Sequence, residues 1–259
     1  MSRIAPAFSP PGHKALIAYV TVGYPTVEAT LEVVPLLADS GCDIVELGIP
    51  FSDPLADGVT IQKASFHALQ NGVTPQLCFE IARKLSRKVN IPLVFMTYFN
   101  PVFSYGLEAF CAAGAESGIS GLIIPDLPPE EGSELEAISR RQGLDLIYLL
   151  APTSTEERIR LVAERSRGFI YLVSVTGVTG VRQRLSGDLE AFVARVKKAA
   201  AQPLCVGFGI STPEQARQVA RVADGIIVGS RIIQLMGKRD GFTSLARLVR
   251  NLRSSINKQ

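Results

Sequence analysis

The sequence predicts an α/β protein built as a single (βα)8 barrel of the TIM type, with extended loops after the second and sixth strands. Three observations predict it. Short runs rich in Val, Ile and Leu recur eight times, each is followed by a segment of helical period, and 259 residues is the length such units occupy. An open doubly wound sheet would need its strand order to reverse somewhere, which the uninterrupted series gives no reason to expect. With no linker or low-complexity tract, residues 1–259 read as one domain.

The runs, in order, are ALIAYVTVG (15–23), IVELGIP (44–50), IPLVFMTY (91–98), GLIIPD (121–126), DLIYLLAP (145–152), GFIYLVSV (168–175), LCVGFGI (204–210) and DGIIVGS (224–230). Between them lie amphipathic helices such as TEERIRLVAERS, with Ile159, Leu161 and Val162 on the inner face. Thr212 followed by Pro213 reads as an N-cap with proline at the first helical position, where a missing N–H costs nothing. Pro35, inside VEATLEVVPLLADSG, predicts a kink or break. Extra length falls in FSDPLADGVTIQKASFHALQNGV after the second run and in GVTGVRQRLSGD after the sixth. Long loops on the carboxyl side of barrel strands are where such proteins place substrate closure and chemistry.

Composition narrows the function classes. A net charge of +3, from 27 basic and 24 acidic residues, is too balanced to mark a nucleic-acid or membrane binder. Cys42, Cys78, Cys111 and Cys205 stand 33 or more residues apart, without CxxC spacing, and read as reduced apolar residues of a cytoplasmic (or plastid) compartment. The N-terminus lacks an apolar signal core, and no apolar run approaches the roughly 20 residues of a membrane span.

The stretch IVELGIPFSDPLADG threads a glutamate through an apolar strand. Val45, Leu47 and Ile49 share one parity and pack outward, so Ile44, Glu46 and Gly48 face the barrel interior, Gly48 leaving space above the carboxylate. A charge there must pair or raise its pKa, which makes Glu46 a candidate acid or base; no Arg or Lys inside the runs offers a salt bridge. Asp57, eleven positions on, is far enough for its loop to fold back and oppose a second carboxylate to the first, whereas Asp53 alone reads as turn chemistry.

Glycines at three successive strand ends, TGVTG, GFGIST and VGSR, point to an anion site: Gly177, Gly180, Gly207, Gly209 and Gly229 let backbone N–H groups approach closely. Other chemistries lack their residues. His13 and His67 lie away from the strand ends, leaving no metal ligand set, and no lysine lies in a strand to form a Schiff base. Tyr98 and Tyr171 fall in runs three and six, Tyr171 better placed to reach the interior, with core filling as the competing reading. Asp126 reads as a cap for the following turn.

In order and over nearly the whole chain, ELGIPFSDPLADG, FMTYFNPV, IIPDLPPEE, YLVSVTGVTG and VGFGIST resemble the α subunit family of tryptophan synthase. That resemblance implies cofactor-free retro-aldol cleavage of indole-3-glycerol phosphate to indole and glyceraldehyde 3-phosphate. It implies Glu46 as the principal acid/base residue and Asp57 as the second catalytic carboxylate, facing the indole N–H. Gly180, Gly207, Phe208, Gly209, Gly229 and Ser230 become the phosphate set, with Tyr171 and Thr179 supporting the site and its closing loop. A β subunit in an α2β2 heterotetramer is the implied partner, its contacts including Asp53, Pro54, Asn100 and Phe103. Three other readings remain: a lyase that releases free indole alone, a phosphate-binding barrel isomerase or synthase, and a non-catalytic module that binds phosphate ligands and activates a partner. The isomerase or synthase would want a catalytic lysine or a Cys/Asp pair at the strand ends, and no such lysine is there.

Overall fold

The computed structural model describes residues 2–174, 187–207 and 209–257. Among these residues nine parallel strands form one sheet: β1 (Ala15–Thr21), β2 (Ile44–Gly48), β3 (Leu93–Met96), β4 (Gly121–Ile123), β5 (Asp145–Ile147), β6 (Leu149–Leu150), β7 (Ile170–Val173), β8 (Leu204–Gly207) and β9 (Gly225–Val228). Their order is β5-β4-β3-β2-β1-β9-β8-β7-β6. β5 and β6 are the two halves of the fifth run, parted at Tyr148, so the sheet curls round until a single interrupted strand joins its edges. The sixth run is therefore β7, and the eight runs yield nine strands because β5 pairs with β4 while β6 pairs with β7.

Strand alternation divides the core in two. One parity (Val45 and Leu47 in β2, Phe95 in β3, Leu172 in β7, Val206 in β8) packs outward against the helices. The other parity fills the barrel: Ile17, Ile44, Val94, Ile147, Tyr171 and Ile227, among others. Ile4 is fully buried in this inner cluster, and the Phe8 ring lies 6.2 Å from that of Phe169, so the N-terminal segment closes the barrel's amino end.

The helices start where their caps lie. Thr26, Thr74, Thr155 and Thr212 each accept a first-turn N–H, and Thr212 with Gln215 completes a capping box ahead of Pro213. In the helix Glu156–Arg165 the buried residues are Ile159 and Val162, while Leu161 sits at the edge of that face.

The helix Val27–Asp39 runs through Pro35 without the expected break. One lost hydrogen bond and a ring clash cost about 3 kcal/mol. Burial of Val33, Val34 and Leu37 on either side contributes about 1.5–3 kcal/mol each, which keeps the segment helical.

The extension after β2 is itself ordered, holding the helix Val59–Gln70 ahead of Pro75–Leu85. The extension after the sixth run lies mainly in residues 175–186, outside the described residues. Among the described residues no helix is long and apolar enough to cross a membrane.

Candidate active site

Glu46 occupies the inward parity of β2, paired in register with Tyr19 of β1 and Val94 of β3. It is 0% exposed, and neither carboxylate oxygen has a hydrogen-bond partner among the described residues. Burial therefore pushes its pKa from 4.5 up to about 8. A carboxyl so placed is neutral at physiological pH and ready to give a proton.

Asp57 stands on the loop after β2, and three contacts fix that loop. The Phe51 N–H donates to Ser65 Oγ at 2.9 Å, the Phe51 ring stacks on Tyr98 at 5.3 Å, and the Ala56 N–H donates to the Tyr98 hydroxyl at 2.9 Å. Tyr98 in turn donates to the Asp57 carboxylate. Partial burial raises Asp57 to about 6, with the Tyr98 hydrogen bond opposing the rise. Two carboxyls of similar intrinsic acidity are thus separated, so that between about pH 6 and about pH 8 one is ionised and the other neutral.

Three tyrosines share this electrostatic neighbourhood. Tyr171 faces the interior from β7, and it feels the charges of both Glu46 and Asp57. Tyr98 lies just past the end of β3, where it holds the Asp57 loop; its role is to tether that loop. Tyr19 escaped sequence reasoning altogether. Its parity with Ile17 in the first run was the available signal, but pairing with Glu46 depends on strand register, which no local pattern reveals.

The space that Gly48 was expected to leave open is filled by Tyr19, since a Cβ on Gly48 would come within 2.5 Å of the Tyr19 Cζ. Gly207 and Tyr171 repeat the arrangement on β8 and β7, at 2.6 Å. Gly207 therefore has a packing reason to be glycine besides any approach to an anion. Gly48→Ala is expected to destabilise the fold by about 1–3 kcal/mol through this overlap, measured as a lower denaturation midpoint with unchanged slope.

The other candidates are placed as follows. Gly209 has φ +79°, in the left-handed region that favours glycine. Gly229 is the N-cap of the helix Ser230–Met236, with no side chain capping it and Ser230 exposed beside it. Ser174 donates from its N–H and hydroxyl to the Gly207 carbonyl, both at 3.1 Å, tying the ends of β7 and β8. Thr179, Gly180 and Phe208, like Gly177, lie outside the described residues. Asp126 accepts from the Phe99 N–H at 2.8 Å, capping the helix of the preceding unit (Phe99–Tyr105) rather than the turn that follows it.

A cavity of about 560 Å³ opens beside Ala56, walled by Met96, Pro125, Leu149 and Val173. Its walls are mainly apolar, and it adjoins the loop that carries Asp57. A flat aromatic group with one polar edge suits such a space.

A parallel barrel with a buried inward carboxyl on β2, a second carboxyl on the loop that follows and an apolar cavity beside that loop has the arrangement of a barrel-class enzyme. The profile of the family described as tryptophan synthase alpha chain matches residues 7–257, and the chain belongs to that family. It is 60% identical to the tryptophan synthase alpha chain of Dehalococcoides mccartyi, covering 99% of this chain and 100% of that one. Identity to the Geobacter sulfurreducens tryptophan synthase alpha chain is 50%, over 91% and 90% of the two. Among solved structures, a chain of Mycobacterium tuberculosis tryptophan synthase superposes with a TM-score of 0.92 at 40% identity, covering 100% of this chain and 99% of that one. The tryptophan synthase alpha chain of Legionella pneumophila gives 0.91 at 34%, over 99% and 98%. The chain is accordingly a lyase of the tryptophan synthase alpha type.

Proposed function

We propose that the lyase reaction, cleavage of indole-3-glycerol phosphate to indole and glyceraldehyde 3-phosphate, runs on Glu46 and Asp57. The observation that carries this reading is the buried, unpaired carboxyl of Glu46, held near pKa 8, with the more acidic Asp57 acting on the same tyrosines, Tyr19 and Tyr171.

Neutral Glu46 gives its proton to indole C3, and the positive charge that appears on the ring nitrogen is stabilised by ionised Asp57. The Glu46 carboxylate so formed takes the proton of the 3′-hydroxyl. The O–H electron pair becomes the aldehyde C=O, the C3–C3′ bond breaks, and its pair returns to the ring. Glu46 ends protonated as it began, so atoms and charge balance without an external acid.

The cavity beside Ala56 takes the indole ring. The phosphate is assigned to Gly180, Gly207, Phe208, Gly209, Gly229 and Ser230, with Tyr171 and Thr179 supporting the site, and this anchoring aligns the glycerol chain for cleavage. We place the chain in the cytoplasm, in keeping with four buried free cysteines and bacterial relatives.

Indole passes to a β subunit. Leu55 is 93% exposed and Phe103 65%, while Val59 and Phe66 are exposed one above the other on the helix Val59–Gln70. The Tyr98–Ala56 hydrogen bond joins the two segments that carry them, so this apolar face, with Asp53, Pro54 and Asn100, is one a partner would cover. Asp53 is exposed, its carboxylate accepting only from Ser52 Oγ at 2.5 Å among the described residues.

The deciding experiment is indole formation from indole-3-glycerol phosphate by the purified chain, repeated with a β chain added. Asp53→Ala is expected to keep the isolated chain's rate and lose most of the activation by the β chain. Full activation of that variant would remove Asp53 from the interface, and equal rates with and without a β chain in the parent would favour a lyase that works alone.

A further inference from the structure

Tyr19 and Glu46 are register partners on adjacent parallel strands, and both side chains face the barrel interior. The tyrosine is the longer of the two and leans toward the mouth, so its hydroxyl lies over Gly48, the residue two positions beyond Glu46 on the same face. Gly48 has no Cβ to obstruct it.

Thr21, two residues along β1 and fully buried, donates its hydroxyl to the Tyr19 oxygen at 3.3 Å. With its oxygen engaged as an acceptor, Tyr19 turns its own proton away from Thr21. Neither oxygen of Glu46 receives that proton. The hydroxyl lies over Gly48 on the interior face, within electrostatic reach of Asp57, Glu46 and Tyr98. Burial holds the hydroxyl protonated far above the ordinary tyrosine range, so it acts only as a donor toward a ligand.

We propose that Tyr19 is a further catalytic residue: its hydroxyl, oriented by Thr21, donates a hydrogen bond to the substrate oxygen from which Glu46 removes the proton. The proposal rests on the lyase reading. As the O–H bond breaks, negative charge builds on that oxygen before the C=O forms, and a fixed donor stabilises it most at that moment. The proton of Tyr19 stays on Tyr19; the substrate proton goes to Glu46. A neutral donor of this kind acts on turnover rather than on ground-state binding.

The test is steady-state kinetics of the parent, Tyr19→Phe, Thr21→Val and the double variant, with Glu46→Gln in parallel. Phenylalanine keeps the ring over Gly48, and denaturation midpoints check that each variant folds. Tyr19→Phe is expected to lower kcat about ten- to a hundredfold with KM within about twofold. Thr21→Val should fall less, and the double variant should be no slower than Tyr19→Phe alone, because the threonine acts only through the tyrosine. A Tyr19→Phe kcat within twofold of the parent, a change confined to KM, or additive losses in the double variant would each overturn the proposal while leaving the lyase reading intact. A parent that forms no indole with or without a β chain, or a Glu46→Gln variant of parental rate, sinks the reading on which it stands.

Discussion

Glu46→Gln is expected to lower lyase turnover by about a thousandfold while making the barrel more stable at neutral pH. The loss follows from its double duty, since one side chain both delivers a proton and takes one, and positioned acid–base groups contribute about 10²- to 10⁴-fold. The gain follows from linkage. The folded pKa of about 8 exceeds the free value of 4.5, so the folded state binds more protons than the unfolded one throughout that interval. Parent stability therefore falls as pH rises from about 4.5 to about 8, by up to about 1.4 kcal/mol per pH unit, and is level below and above those limits. At pH 7 this amounts to about 3 kcal/mol, offset by about 1–2 kcal/mol for the unpaired amide that glutamine buries. Chemical denaturation of parent and variant near pH 5 and near pH 8 should show a gap that widens with pH. A constant gap would mean that the carboxyl does not titrate inside the fold, and near-parental indole release would remove Glu46 from the reaction.

Asp57→Asn is expected to reduce kcat about a hundredfold, some 2.7 kcal/mol of transition-state stabilisation, with a smaller effect on KM. The amide can still accept the Tyr98 hydrogen bond, so the loop keeps its anchor and only the negative charge is lost. The parent's kcat/KM should fall below about pH 6, as Asp57 takes up a proton, and above about pH 8, as Glu46 loses one. In the variant the acidic limb should vanish and the alkaline limb remain. A variant that changes KM alone would give Asp57 a binding role instead.

Gly48 and Gly207 show where a residue can be read correctly and still be assigned too small a part. Both are recognisable in sequence as glycines at strand ends, yet each makes room for a tyrosine from the neighbouring strand. Tyr98 illustrates the converse. Its place near the third strand was plain, whereas its hydrogen bond to a loop some forty residues earlier could be known only once that loop had folded back.

By itself the sequence determined the barrel, the inward parity of Glu46, the Thr212 N-cap and the reach of the Asp57 loop. These depend on alternation with period two, on short-range capping and on chain length, all of which act within a few residues. Tertiary structure alone decided that Tyr19 lies beside Glu46, that the fifth strand divides at Tyr148, and that the helix continues through Pro35. Those outcomes are settled by register and by burial against distant segments, where packing energy outweighs local preference and leaves no trace in any one stretch of chain.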